Sequence, residues 1–271
     1  MSAALSAAQL AELDPFLIEL NRVSGDVILP LFRAENGLKN KAGEGQFDPV
    51  TQADKGAEAV IRKTIAARYP QHGVIGEEYG SDRPDAEFVW VLDPIDGTRA
   101  FISGLPVWTT LIGLRFQGEP VLGSIGQPYL EEVFIGSAAG SRMLRRGESR
   151  PLKVRACPSL AEATIATTDS HLFKGDDHAA WARVRAGARL ARMGCDAYAY
   201  AMVAAGVIDL VLECGLKSWD VEAAVPVLDG AGGVVADWTG ARVGREGGKI
   251  AIAGDQACLD QAVALLNGAG A

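Results

Sequence analysis

Asp93 and Asp96 stand in the string Val91-Leu-Asp-Pro-Ile-Asp-Gly-Thr98, directly after the short apolar run Phe88-Val-Trp-Val-Leu92. The run reads as a buried strand that feeds straight into Asp93. Pro94 lacks an N–H and is ill suited to a strand or helix interior, so the chain is expected to turn there. A turn lets Asp93 and Asp96 converge, with the Ile95 carbonyl between them. Two carboxylates and a carbonyl are hard oxygen ligands, suited to magnesium rather than zinc. Gly97 and Thr98 follow at once, where a glycine admits close approach of an anion and helix-start amides can bind phosphate. Metal ligands followed by a phosphate cradle would serve phosphoryl hydrolysis. The same octapeptide also fits an ordinary Pro-Asp-Gly turn.

Two further acidic segments could join this site. Glu77 and Glu78 follow Val74-Ile-Gly76. Neighbouring side chains on a strand face opposite ways, so only one of the two is expected to reach the metal. An exposed acidic loop is the plainer reading of the pair. Asp220, in Trp219-Asp-Val221, opens a predicted helix and fits either a ligand or a helix cap.

Elements that would carry these residues are legible in the apolar spacing. Leu10, Leu13, Leu17, Leu20, Val23, Val27 and Leu31 form one stripe of a long helix from Leu5 to Phe32, with Pro15 a boundary or kink. A polar, Gly-containing stretch, Glu35 to Asp48, precedes a second helix from Thr51 to Tyr69, ended by Pro70. Strands are predicted at Phe88–Leu92, Val107–Phe116, Val121–Ile125 and Glu132–Ile135, in the manner of an antiparallel meander. Beyond Pro151 the rhythm alternates. Strands are predicted at Ala163–Thr168, Val207–Leu212, Gly233–Asp237 and Ile250–Ala253. Helices are predicted at Asp176–Ala186, Asp196–Ala205, Trp219–Gly230 and Gln256–Leu266. An α+β first half (1–145) followed by an α/β second half (146–271) is the expected organisation.

Taken together, Gly76-Glu-Glu78, Trp90-Val-Leu-Asp-Pro-Ile-Asp-Gly-Thr98, Trp219-Asp-Val221 and Gly230-Ala-Gly-Gly233 resemble the inositol monophosphatase family. The resemblance runs from about Asp48 to Gly254 in the family's order. It implies a layered αβαβα sandwich of the sugar-phosphatase type and a phosphomonoesterase using two or three Mg²⁺ ions. It implies Glu77, Asp93, the Ile95 carbonyl, Asp96 and Asp220 as metal ligands. Asp54 would pair with Thr98, with Glu77 counted among the catalytic residues and Gly97 and Thr98 as the phosphate cradle. Many members are homodimers, so a homodimer is expected. A small phosphorylated molecule is the expected substrate.

The second half bears on which ester is cleaved. Arg192-Met-Gly-Cys-Asp-Ala-Tyr-Ala-Tyr200 resembles the GGDCYAY-type segment of the histidinol-phosphatase branch, and Asp209-Leu-Val-Leu-Glu213 its DLVxE run. Met193 precedes the glycine here, and Asp and Cys are reversed. Histidinol phosphate carries an amine and an imidazole, to which Asp196 and Glu213 offer charge-assisted hydrogen bonds, with Asp220 close by. Asp196 also fits a helix N-cap, and Glu213 a partner for Lys217 or Arg192. An inositol or broad-specificity sugar phosphatase is the neighbouring reading. A catalytically silent cation-binding regulator is the reading from another class, opposed by the presence of both Asp54 and Thr98.

Composition excludes other classes. With 26 basic and 34 acidic residues among 271, the net charge is −8, which disfavours general binding to nucleic acid. An acidic protein takes a phosphate ester once bound cations reverse the local sign. Four cysteines without a CxxC pair are expected to be reduced and mostly buried. No run of about 18 apolar residues suggests a membrane span. Met1-Ser-Ala-Ala-Leu5 lacks the pattern of a signal peptide, so a cytoplasmic location is expected. Trp181 and Trp238 are expected to pack, and Arg142 to Arg150 to form a solvated hairpin face. His171 is placed within reach of the pocket, and a loop from Lys39 to Gln46 could close over it.

Overall fold

The computed structural model describes residues 4–34, 39–40, 49–50 and 52–268, so most of the Lys39 to Gln46 loop lies outside the described residues. In chain order come α1 (Ala7–Ile28), β1 (Lys39–Asn40), β2 (Pro49–Val50), α2 (Gln52–Arg68), β3 (Gly73–Gly76) and β4 (Gly80–Asp82). Next are β5 (Phe88–Asp96), α3 (Thr98–Ile102), β6 (Thr109–Phe116), β7 (Glu119–Gln127), β8 (Glu132–Ser137), β9 (Gly140–Arg145) and β10 (Glu148–Pro151). Then follow β11 (Thr164–Thr167), α4 (Asp176–Gly187), β12 (Leu190–Met193), α5 (Tyr198–Ala204) and β13 (Leu210–Leu216). The last are α6 (Ser218–Val221), α7 (Ala224–Ala231), β14 (Val234–Asp237), β15 (Gly248–Ala253) and α8 (Gln256–Leu266).

α1 starts at a capping box, in which the Gln9 amide donates to the Ser6 hydroxyl and the Ser6 amide to the Gln9 side chain. Pro15 neither ends nor divides this helix; it sits on the solvent side, where water can satisfy the carbonyl it leaves without a donor. The predicted stripe holds at Leu13, Leu17 and Leu20 and then moves to Asn21, Ser24, Gly25 and Ile28. The change follows the neighbour: the Asn21 side chain donates to Ser124 Oγ of β7 at 2.8 Å, a contact that an apolar periodicity cannot signal.

An eight-stranded sheet runs β10-β9-β8-β7-β6-β5-β3-β4, and a five-stranded sheet runs β12-β11-β13-β15-β14. Alternate residues of each strand enter different cores. Trp90, Leu92, Ile112, Leu114 and Leu122 pack under α1 and α2 with Leu17, Leu20, Ile61 and Ile65. Leu111, Ile125 and Phe134, on the opposite face, meet α5 and α7 and the inner face of the second sheet, Ala166, Val211, Ile250 and Ile252. The outer face of that sheet, Ile165, Leu210, Leu212 and Ala251, is covered by α4 and α8, where Trp181 and Trp238 also pack. The result is helix, sheet, helix, sheet, helix. Strands covered on both faces read as continuous apolar runs, which is how most were found in sequence.

The differences from expectation have local causes. β12 went unpredicted because it is an exposed edge strand with no apolar pattern. The helix predicted over Trp219–Gly230 is two helices, α6 and α7. Pro226 has no N–H to return to the Glu222 carbonyl, so a continuous helix would lose that bond. The Arg142 to Arg150 hairpin is only partly a solvated face, since Arg142 forms a two-bonded pair with Asp14 of α1 at 2.9 and 2.5 Å.

Candidate active site

β5 does not stop before Pro94, as the sequence suggested; it continues to Asp96 through an irregularity. Asp93 pairs with Leu111 and Asp96 with Thr109, so β5 spends three steps where β6 spends two. One extra residue is a β-bulge, and the missing N–H of Pro94 is tolerated there. On a regular strand, positions i and i+3 would face opposite ways. The bulge cancels that difference and turns Asp93 and Asp96 to one side. The Pro94 carbonyl is secured by Thr110 Oγ1 at 2.8 Å, and the Ile95 carbonyl accepts from Thr98 Oγ1 at 3.2 Å.

Asp220 reaches the same place from α6. One oxygen each from Asp93, Asp96 and Asp220 lies within 4.8 Å of the others, and Asp54, Glu77 and Glu78 form a second group of the same size. Both Glu77 and Glu78 bring an oxygen close to Asp54, while Glu77 is the one of the two that acts on Asp93. β3 ends at Gly76, so the pair lies on a turn where strand alternation does not apply. Nor is the pair an exposed acidic loop, for both side chains are half-buried.

Charge repulsion links Asp54 and Glu77 to the aspartate group. Burial raises the Asp93 carboxyl well above the usual range, and Glu77, Asp96, Asp220 and Asp54 raise it further. Asp96 is raised by burial and then by Asp196 and Asp220, against the Ala197 amide that donates to it at 2.7 Å. Asp220 is pushed up to about 6 by burial, opposed by the Lys217 amide at 2.6 Å and by its bond with Asp93.

A metal fits these residues. Asp93 Oδ1 is buried with no hydrogen-bond partner among the described residues, a costly arrangement for an oxygen unless a cation takes it up. The converging donors are carboxylate oxygens, hard ligands of the kind that magnesium takes.

Gly97 caps α3 with a left-handed φ of 80°, and a Cβ there would lie 2.9 Å from Asp196 Cγ. Asp196 is therefore held against the expected phosphate cradle. It is not a helix cap: α5 begins at Tyr198, and Asp196 itself has a left-handed φ of 45°. Burial pushes its carboxyl to about 6, opposed by a Thr168 hydrogen bond and by Arg99.

Glu213 pairs with neither Lys217 nor Arg192. It accepts from the Thr168 amide at 2.7 Å, Thr168 Oγ1 at 3.0 Å and Thr167 Oγ1 at 3.3 Å. Burial nonetheless pushes it up to about 8. Thr167 and Thr168 were not identified from sequence, and hydroxyl residues at a strand end carry no distinctive signal. His171 faces solvent, 91% exposed, with its ring against Asp169 at 3.1 Å.

The model of the inositol monophosphatase family matches residues 9–268. The chain belongs to that family. Family membership makes it a phosphatase, of a metal-dependent kind, and accounts for the layered fold. The chain is 44% identical to the bifunctional phosphatase IMPL2 of Arabidopsis thaliana, a chloroplastic protein, over 89% of this chain and 70% of that one. It is 33% identical to a histidinol-phosphatase of Chlorobaculum parvum, over 71% of this chain and 73% of the relative. Among solved structures, an inositol monophosphatase from Zymomonas mobilis superposes with a TM-score of 0.85 at 37% identity, covering 97% of this chain and all of that one. No helix among the described residues is long and apolar enough to cross a membrane.

Proposed function

We propose that this family phosphatase is magnesium-dependent and hydrolyses L-histidinol phosphate to L-histidinol and phosphate, as a step of histidine biosynthesis. The observation that carries the choice of ester is Asp196, a carboxyl held beside the cradle glycine and linked through Thr168 to Glu213. A cationic amine or imidazole placed there gains a charge-assisted hydrogen bond, which an inositol hydroxyl does not match. The relative named histidinol-phosphatase agrees with this reading.

Glu77, Asp93, Asp96, Asp220 and the Ile95 carbonyl would hold two or three magnesium ions. When bound, magnesium lowers the pKa of a ligated water and shields phosphate and leaving alkoxide. Thr98 would orient the attacking water, and the Asp54 carboxylate would receive its proton, directly or relayed through the Thr98 hydroxyl. The Gly97 and Thr98 amides would hold phosphate oxygens, with Asp196 and Glu213 binding the organic part and Asp220 bordering it. Asp196 would supply the negative charge, because Glu213, raised to about 8, keeps its proton at neutral pH. Four free cysteines suit a reducing cytoplasm. A homodimer is proposed with the rest.

The test is kcat/KM for histidinol phosphate and for inositol 1-phosphate, each with and without magnesium. Histidinol phosphate should be preferred, and Asp196→Ala should lower its kcat/KM by about 10- to 100-fold, the loss of one charge-assisted bond. A preference for the inositol ester overturns the choice. The names of relatives that are inositol-1-monophosphatases keep that second reading in view. Activity retained on several esters in Asp196→Ala would favour it.

A further inference from the structure

We infer that Glu58 is a positioning residue for the metal centre, acting through the turn that carries Glu77 and Glu78; the inference rests on the magnesium reading above. Glu58 lies one helical turn beyond Asp54 on α2 and is fully buried. Its carboxylate accepts the Glu78 amide at 2.8 Å and the Tyr79 amide at 3.2 Å. Arg62, a further turn along, donates to Glu58 at 2.7 Å and to the Gly80 carbonyl.

Two charged side chains of one helix thus grip the β3–β4 turn at Glu78, Tyr79 and Gly80. A further anchor is the Glu77 amide, which donates to the Leu92 carbonyl of β5 at 3.2 Å. Gly76 makes room for the arrangement, since a Cβ at that position would collide with the Glu58 carboxylate. A carboxylate buried in this way has its charge compensated by Arg62 and by two amides. These bonds join α2 to the backbone of the turn and not to the carboxylates of Asp93, Asp96 and Asp220. What they fix is the direction of the turn, and with it the meeting of Glu77 and Glu78 with Asp54 within 4.8 Å. Asp54 and Glu58 share a helix face, so the rigid spacing of α2 transmits directly to the distance between Asp54 and the turn.

Glu58→Gln tests this. An amide can still accept one N–H but cannot neutralise Arg62, and it presents a donor to groups that need an acceptor. Titration of the metal-free protein with Mn²⁺, followed by electron paramagnetic resonance, should show affinity 10- to 100-fold weaker than wild type, the usual cost of losing an outer-shell partner. The magnesium concentration for half-maximal activity should rise by a similar factor, while KM for the phosphate ester measured at saturating magnesium changes little. A merely structural role would lower the melting temperature and leave Mn²⁺ affinity unchanged, and that result overturns the inference. Should Glu58→Gln fail to fold, Arg62→Gln carries the test. It should weaken Mn²⁺ binding several-fold, and wild-type affinity in that variant overturns the inference equally. A wild-type protein that binds no Mn²⁺ would instead remove the magnesium reading itself.

Discussion

Asp93 shows what a residue contributes and what it costs. It is buried among Glu77, Asp96, Asp220 and Asp54, all of which raise its carboxyl in the absence of a cation. Such a position is justified by function and unfavourable to folding. Asp93→Asn should therefore separate the two. Magnesium-dependent turnover should fall more than about 100-fold, beyond the range usual for outer-shell losses. In EDTA at neutral pH the variant should be more stable than wild type by on the order of 1 kcal/mol, since one repelling carboxyl is gone. Urea unfolding of both proteins checks this, and an equally or less stable variant would show that the cluster is not strained. Asp93 and Asp96 were legible as candidate ligands because Asp-Pro-Ile-Asp-Gly-Thr, which alone also fits a plain turn, stands in a family-like order with Gly76-Glu-Glu78 and Trp219-Asp-Val221. The approach of Glu78 to Asp54 was not, because its direction depends on where β3 ends, which adjacent letters do not reveal.

Elements decide whether those residues meet. α6 delivers Asp220, and its continuation into α7 lies against a row of glycines on three adjacent strands. Gly113 pairs with Gly123, and Gly123 with Gly136. A Cβ at Gly123 would strike the Ala223 carbonyl, and one at Gly136 the backbone of Val227. Only bare backbone lets the helices approach so closely. Gly123→Ala should thus lift the α6–α7 junction from the sheet and destabilise the fold by about 1–3 kcal/mol, the range for overpacking. Because Ala223 is three residues from Asp220, magnesium affinity should weaken in the same variant. A variant with native stability and native Mn²⁺ affinity would show the contact to be slack. From sequence, β5 to β8 of this sheet were readable as apolar runs, and the glycines looked like interruptions, while β4, β9 and β10 carry no apolar run and were not predicted. Their alignment across strands is a property of register, which one sequence does not display. The α6–α7 break was in principle legible at Pro226, but the apolar period on both sides concealed it.

At the scale of the molecule, five layers depend on junctions between helices and strands, and His72 lies in one of them. It follows α2, packed between Tyr69 and Phe88 with ring centroids 4.5 and 4.8 Å away. Trp90 Nε1 donates to His72 Nδ1 at 3.1 Å, so the neutral ring with an acceptor at Nδ1 is the form the fold selects. Burial pushes its pKa down to about 4 from 6.5. Above pH 6.5 both folded and unfolded chains carry it neutral, and its contribution is complete. Between 6.5 and about 4 the unfolded chain takes a proton that the folded one refuses, so stability falls with pH at about 1.4 kcal/mol per unit. Below about 4 both forms are charged and the loss stops growing. His72→Phe isolates this group from the carboxylates, which titrate in both proteins. Near pH 7.5 the variant should be less stable by about 1 kcal/mol, because the Trp90 N–H loses its acceptor. At pH 5 the comparison should have moved about 2 kcal/mol in the variant's favour, reversing the order. Urea denaturation of both proteins in EDTA at the two pH values measures the difference. If the gap between them is independent of pH, His72 is not the buried neutral group that this stacking requires, and the packing of β5 against α2 would have to be held by Trp90 and Tyr69 without it.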